Sequence, residues 1–209
     1  MSSGIHFYFD FISPYGYLAA TQISRLEQEL DEKIHWHPYL LSIAVTQAMK
    51  LPPMMQIPLK SQYVIEDLPR LAKAVDVPLE FPSNPAPHPL ASARAFYWTQ
   101  QNISVHKAEE LALRLLSHQW AEQGDISSPD IVAEQARIIG IDPNDLLEGI
   151  QADTVKNNLR TETDKAIEKG IFGSPFFDAY GEKFWGVDRL WMLKQWVTKR
   201  EWTPSPEHF

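Results

Sequence analysis

Ile5-His6-Phe7-Tyr8-Phe9-Asp10-Phe11-Ile12-Ser13-Pro14-Tyr15-Gly16 is the stretch that decides the fold. Ile5, Phe7, Phe9 and Phe11 share one face by the period of two that strands follow. The other face (His6, Tyr8, Asp10, Ile12) is too apolar to be solvated, so an inner strand over 5–12, covered on both sides, is expected. Pro14 suits the first turn of a helix, where its missing N–H costs nothing. Ser13 therefore stands at a strand-to-helix turn. A hydroxyl there can hydrogen-bond an anion, which the helix N–H groups and dipole also favour.

Working outward, the helix is expected over 15–30, burying Leu18, Ile23, Leu26 and Leu30. A second strand over 34–41 completes a βαβ unit. Residues 42–100 carry most of the 16 prolines, and short helices between them are expected. A long amphipathic helix follows over 105–123, with Ala108, Leu111, Leu115 and Trp120 in register. Ser128-Pro129 and Asp142-Pro143 open two more. Asp153 is expected to cap a fourth, ended by Gly170. Phe176 to Ala179 and Lys183 to Trp185, flanking Tyr180-Gly181-Glu182, read as a hairpin. Asp188 is then expected to cap a last helix running to about residue 199. The order is βαβ, helices, ββα: an α/β thioredoxin-like fold interrupted by an all-helical insertion domain. Residues 1–42 plus 170–209 form the first domain in this reading, and 43–169 the second.

With 209 residues and 44% hydrophobic composition, the chain can bury a sizeable core. A net charge of −8 argues against nonspecific binding to nucleic acid or anionic membranes. No signal peptide or membrane-length apolar run is visible, and the cytoplasm is the expected location. There is no cysteine. A thioredoxin-like fold puts Cys-x-x-Cys at the turn that here reads Ser13-Pro14-Tyr15-Gly16, so this chain's own side chains cannot cycle between thiol and disulfide. The guest that suits Ser13 is a thiolate carried by a cofactor.

Two further motifs lie at the other end of the sequence. Gly173-Ser174-Pro175 enters the hairpin, where fold context favours a cis proline facing the active turn. Trp185-Gly186-Val187-Asp188-Arg189 starts the last helix, and a carboxylate beside a guanidinium suits a zwitterionic peptide end. His6, His35 and His37 read as satisfied core or edge residues more readily than as metal ligands, and no metal is assigned. Trp191, Trp196 and Trp202 are expected to pack the last helix or a partner subunit, and a homodimer is an open expectation.

These motifs, with Pro52-Pro53 between them, occur in the order found in the 2-hydroxychromene-2-carboxylate isomerase and kappa-class glutathione transferase family. The chain resembles that family, within the DsbA-like branch of thioredoxin folds, over nearly its whole length. The resemblance implies glutathione as cofactor. Ser13 matches the serine that hydrogen-bonds the glutathione sulfur. Ser174, before Pro175, offers backbone to the cysteinyl part, and Val187, Asp188 and Arg189 match the loop that takes the γ-glutamyl end. Lys60 occupies the basic position that faces the glycyl carboxylate. It further implies reversible thiolate addition to an aromatic 2-oxo acid or chromene carboxylate. A kappa-like transferase and a non-catalytic thiol- or peptide-binding module are the alternatives.

The chain departs from the family pattern in the middle. Leu51 replaces an asparagine before Pro52-Pro53, and Ala44-Val45-Thr46-Gln47 lacks a lysine that meets the substrate carboxylate. Lys50, Lys60 and Arg94 are the candidate replacements. The loop from Ser83 to Leu90 also differs, and Ser174 replaces a common valine. At Ser13, lowering a thiol pKa by about two units needs about 2.7 kcal/mol of preferential thiolate stabilisation. A hydrogen bond to a charged acceptor contributes about 1.5–3 kcal/mol, and a helix N-terminus about 0.3–1 kcal/mol. The expected sum suffices without a general base.

Overall fold

A computed structural model describes residues 3–82 and 87–201. Four strands, β1 (Ile5–Phe9), β2 (Ile34–Pro38), β3 (Phe176–Ala179) and β4 (Glu182–Trp185), form one sheet in the order β2-β1-β3-β4. β1 and β2 are parallel, with Phe7 opposite Trp36. β1 and β3 are antiparallel, with Phe7 opposite Phe177. The inner position expected for the first strand is thus observed.

Each face of β1 meets its own apolar cluster. Phe7 and Phe9 pack with Trp36, Phe177 and Phe96 at ring-centroid distances of 5.0–6.3 Å. On the other face, Tyr8 is buried with Tyr39, Ala44, Ala166, Ile171 and Phe176. Phe96 belongs to helix α4 (Leu90–Asn102), so sheet and helices share the first cluster.

Both expected strands end early: Tyr39 N still reaches Phe9 O at 2.9 Å, but other backbone donors just beyond the strand ends go to side chains. Asp10 N donates to Ser174 Oγ, Ile12 N to Asp10 Oδ1, Leu40 N to Thr163 Oγ1 and Leu41 N to Asp10 Oδ2. The first helix is also broken, into α1 (Pro14–Ala20) and α2 (Ile23–Leu30). At the break, Thr21 Oγ1 donates to Leu18 O at 2.8 Å, a local bond that competes with the helical ladder.

The expectation of short helices between prolines fails at α3 (Lys60–Ala74), 15 residues that contain Pro69. Val64, Leu68 and Ala72 anchor its buried face. Ile65, whose carbonyl loses its partner at Pro69, is 51% exposed and can turn to water. Before α3, Ile43–Ala48 forms a π-helical turn, with Met49 N bonded to Ala44 O at 2.9 Å.

Four more helices follow: α5 (Val105–Ala121), α6 (Pro129–Ile138), α7 (Pro143–Gly149) and α8 (Asp153–Glu168). Ser104, Ser128 and Asp142 cap the first three through their side chains. Ala152, not Asp153, holds the cap position of α8, and Asp153 sits in its first turn, where its charge suits the helix dipole. The hairpin turn is two residues, Tyr180 and Gly181, both at positive φ, so Glu182 joins β4.

Asp188 caps no helix. Val187–Arg189 is a single 3₁₀ turn after Gly186, whose φ is 108°. The last helix, α9 (Leu190–Lys199), starts beyond it. Trp196 Nε1 donates to Ala179 O at 3.0 Å and ties α9 to the hairpin. Trp202 lies outside the described residues, as does the first half of the loop read above from Ser83.

Candidate functional site

Ser13 ends up beside the hairpin entry because β1 pairs with β3. Its hydroxyl donates to Ser174 O at 2.8 Å and accepts from Gly16 N at 3.0 Å. The first and second sequence motifs therefore touch directly, through residues 161 positions apart. Ser13 is 6% exposed and Ser174 7% exposed, so this contact forms the floor of a site, with half-buried Pro14 and Tyr15 at its rim. The Ser174-Pro175 peptide bond is cis. Pro175 O accepts from Gly186 N at 3.1 Å, which joins the third motif to the second.

Gly16 is fixed by space. A Cβ there would lie 2.7 Å from Ser174 Oγ, 3.2 Å from Ser13 Cβ and 3.4 Å from Asp10 O. The Ser174 hydroxyl, in turn, accepts from Asp10 N at 3.0 Å. Sequence reasoning assigned Ser174 a backbone role alone; its side chain also closes the floor of the turn.

Asp10 is the residue that sequence reading missed. Its carboxylate is 1% exposed and accepts from Leu41 N at 2.7 Å and Ile12 N at 3.2 Å, while its carbonyl accepts from Ser13 N at 3.0 Å. Burial pushes its carboxyl up to about 7, against the backbone N–H groups that favour the charged form. The available signal was the polar residue at the end of an otherwise apolar strand, three positions before Ser13. Tyr39 also went unremarked: its buried hydroxyl donates to Gly173 O at 2.7 Å and steadies the approach to Ser174.

Val187, Asp188 and Arg189 lie beside α1, against which their turn packs. Val187 is buried in the core, so only its backbone faces outward chemistry. The Asp188 carboxylate and Arg189 guanidinium pair with each other at 2.5 Å, both about half exposed. Such surface pairs contribute about 0–1 kcal/mol, so a ligand carrying both charges can replace the contact at little cost. Tyr15 donates to Asp67 Oδ2 at 3.2 Å. Burial first, then the Asp67 carboxylate, raise the Tyr15 phenol above its ordinary range, with a smaller push from Asp188.

Lys60 is exposed at the first position of α3 and bonds none of these residues among those described. It stands one turn before Tyr63, which shares Asp67 with Tyr15. Leu51 is 50% exposed, and Ala44 is buried inside the π-helical turn. Neither supplies a polar group to the site.

Two sequence expectations about anion binding change here. α1 has 7 residues, Pro14 brings no N–H and Gly16 N is already bonded to Ser13, so the helix contributes less than a long one would. The Ser13 proton also has a neutral acceptor in place, Ser174 O. Elsewhere on the sheet, His6 Nδ1 and His37 Nε2 hydrogen-bond each other at 2.9 Å, and no cluster of three or more metal-type side chains occurs among the described residues.

Comparison with known proteins agrees with the geometry. The model of the DsbA-like thioredoxin domain family matches residues 4–197. A 2-hydroxychromene-2-carboxylate isomerase from Pseudomonas sp. (strain C18) is 27% identical over 203 residues, covering 92% of this chain and 89% of that protein. Glutathione s-transferase kappa 2 of Caenorhabditis elegans is 30% identical over 200 residues, covering 89% of this chain and 88% of that protein. A solved structure of a 2-hydroxychromene-2-carboxylate isomerase superposes with a TM-score of 0.81 at 26% identity, covering 94% of this chain and 95% of the other. The chain belongs to the DsbA-like thioredoxin-domain family, in the branch that holds the 2-hydroxychromene-2-carboxylate isomerases and the kappa-class glutathione transferases.

Proposed function

We propose that this protein is a glutathione-dependent isomerase of the 2-hydroxychromene-2-carboxylate isomerase type. The observation that carries the reading is the Ser13 hydroxyl at 2.8 Å from Ser174 O, with no thiol of the chain's own at the turn. A donor held there suits an external sulfur anion, and the isomerase and kappa transferase relatives make glutathione its natural source.

Bound glutathione would supply a thiolate that adds to a conjugated carbon of a 2-oxo acid and leaves again after rotation, so that it is regenerated. This chain's residues bind and orient. Ser13 would turn its O–H from Ser174 O to the sulfur, and the Ser174 backbone would pair with the cysteinyl part. The Asp188 carboxylate and Arg189 guanidinium would separate to receive the ammonium and carboxylate of the γ-glutamyl end, against the Val187 backbone. Lys60 would meet the glycyl carboxylate, while buried Pro175 keeps water from the floor. Asp10 offers no group to the ligand in this reading and is a positioning residue, tying Leu41, Ile12, Ser13 and Ser174 together.

A kappa-like transferase is the second reading, because the kappa relative matches as well as the isomerase does. Titration calorimetry with reduced glutathione, then an absorbance assay on 2-hydroxychromene-2-carboxylate with glutathione at catalytic amounts, tests both. Isomer interconversion with no loss of thiol is expected. One-for-one thiol consumption would move the chain to the transferase reading. Glutathione binding without turnover of any conjugated acid would leave a binding module, and folded protein that takes up no millimolar glutathione would overturn all three.

A further inference from the structure

A cavity of about 310 Å³ lies between the end of β2, the π-helical turn, α4 and α8. Ser13, Ser174, Pro175, Asp188 and Arg189 do not line it. Its walls are apolar at Leu40, Ile43, Leu90 and Leu159, and three cations reach it: Arg94, Lys156 and Arg160. The size falls at the lower end for small-molecule sites, about 300–1,000 Å³.

The charges there are unbalanced. Arg94 makes no hydrogen bond or ion pair among the described residues, and its Nε is buried without a partner. Arg160 has none either. Among the described residues the Lys156 ammonium is held only by Asp153, at 3.4 Å on the exposed side. Among the described residues Asp164 is the single carboxylate on the wall, and it bonds neither arginine. The nearby Glu162 is engaged elsewhere, with Lys165 at 2.8 Å and His37 at 3.8 Å. A chain of net charge −8 thus concentrates positive charge around one apolar hollow. A guanidinium with a buried, unpaired N–H is an incomplete arrangement, because desolvation of that donor is offset by nothing in the protein. A planar carboxylate would complete it through the guanidinium fork.

We propose that this cavity binds a small organic carboxylate with an apolar, ring-sized body, its acid group on Arg94 and Arg160 and its body against Leu40, Ile43, Leu90 and Leu159. The cavity is coupled to the Ser13 turn through the backbone: Leu41, next to Leu40, donates to Asp10, whose carbonyl holds Ser13 N. Use of the site to hold the acid half of a substrate rests on the glutathione reading above; binding itself does not.

The test is calorimetric titration of the wild-type protein with 1-naphthoate, its neutral isostere 1-naphthamide and inorganic phosphate, with no glutathione present. Naphthoate is expected to bind at least tenfold tighter than either of the others. Arg94→Gln should weaken naphthoate tenfold or more and Arg160→Gln severalfold, with helical circular dichroism and the heat of glutathione binding unchanged. Naphthamide or phosphate binding as tightly as naphthoate, naphthoate indifferent to both substitutions, or no naphthoate uptake at millimolar concentration would overturn the proposal. Naphthoate binding by a protein that ignores glutathione would uphold this site while removing the glutathione reading.

Discussion

The floor around Ser13 and the cavity between α4 and α8 are wired in opposite ways. At the floor, polar groups answer one another: Ser13 Oγ both donates and accepts, Ser174 accepts through its hydroxyl and its carbonyl, and Asp10 takes two backbone N–H groups. In the cavity, Arg94 and Arg160 answer to nothing among the described residues. A ligand at the floor must exchange existing bonds for its own, so its net gain is a difference. A ligand in the cavity adds bonds where there were none. The first region is built for rigidity and orientation, the second for uptake of charge.

The largest effect expected at the floor belongs to Asp10. Its folded pKa of about 7 exceeds the unfolded value of about 3.9, so between those limits the folded state holds more protons. Stability tied to this group is therefore greatest in acid and falls as pH rises, by up to about 4 kcal/mol once pH passes 7. Glu162 works the other way. His37 and Lys165 hold it down to about 2, so its contribution disappears only in strong acid. His6, lowered by burial and then by His37, likewise costs stability on acidification. Asp10→Asn removes the titration while placing an amide N–H against Ile12 N or Leu41 N. Urea unfolding should show the mutant's deficit shrinking by about 2–4 kcal/mol between acid and mildly alkaline buffer. A deficit independent of pH would mean that the carboxyl is ionised throughout, and that the floor is not as dry as its burial implies.

Next in size is the packing at Gly16. Gly16→Ala drives a methyl into Ser174 Oγ at 2.7 Å, and overpacking of this kind costs about 1–3 kcal/mol. Ser174→Ala removes the obstacle but strands Asp10 N, for about 1–3 kcal/mol of its own. The double substitution should cost less than the two singles added, since the second relieves the first. Strict additivity in melting curves would show that Ser174 swings aside freely, and the floor would then be no more rigid than the cavity.

Much of this was legible because the decisive motifs are local. A strand ending in Ser13-Pro14, a proline entering a hairpin and a Gly186 turn each announce themselves within a few residues. Which face of β1 is buried, and that both are, also follows from its alternation. The failures share a cause: they depend on partners far away in sequence. Asp10 looks like a strand residue until Leu41 N and Ser174 Oγ arrive to bond it. Asp188 looks like a cap, yet Arg189 takes its carboxylate, and the helix begins one residue further on. Pro69 reads as a breaker until Val64, Leu68 and Ala72 bury the face that carries the helix through it. The cavity has no sequence signature at all, since Arg94 and Arg160 come from different helices.

The smallest effect, and the sharpest probe of the exchange principle, is expected from Ser13→Ala. The folded protein loses a helix cap to Gly16 N, for about 1 kcal/mol, within the range for such caps. The more telling quantity is the thiol pKa of bound glutathione, read from thiolate absorbance against pH. A charge-assisted bond contributes about 1.5–3 kcal/mol and a neutral one about 0.5–1.5 kcal/mol. If the Ser13 proton simply trades Ser174 O for sulfur, the net gain is about 1 kcal/mol. The mutant thiol should then titrate less than about one pKa unit higher than in wild type. A shift near two units would mean that the ligand's own N–H takes over Ser174 O as Ser13 leaves it, so that the serine is delivered at full strength. No shift would show that other donors hold the sulfur, and that Ser13 serves the turn alone.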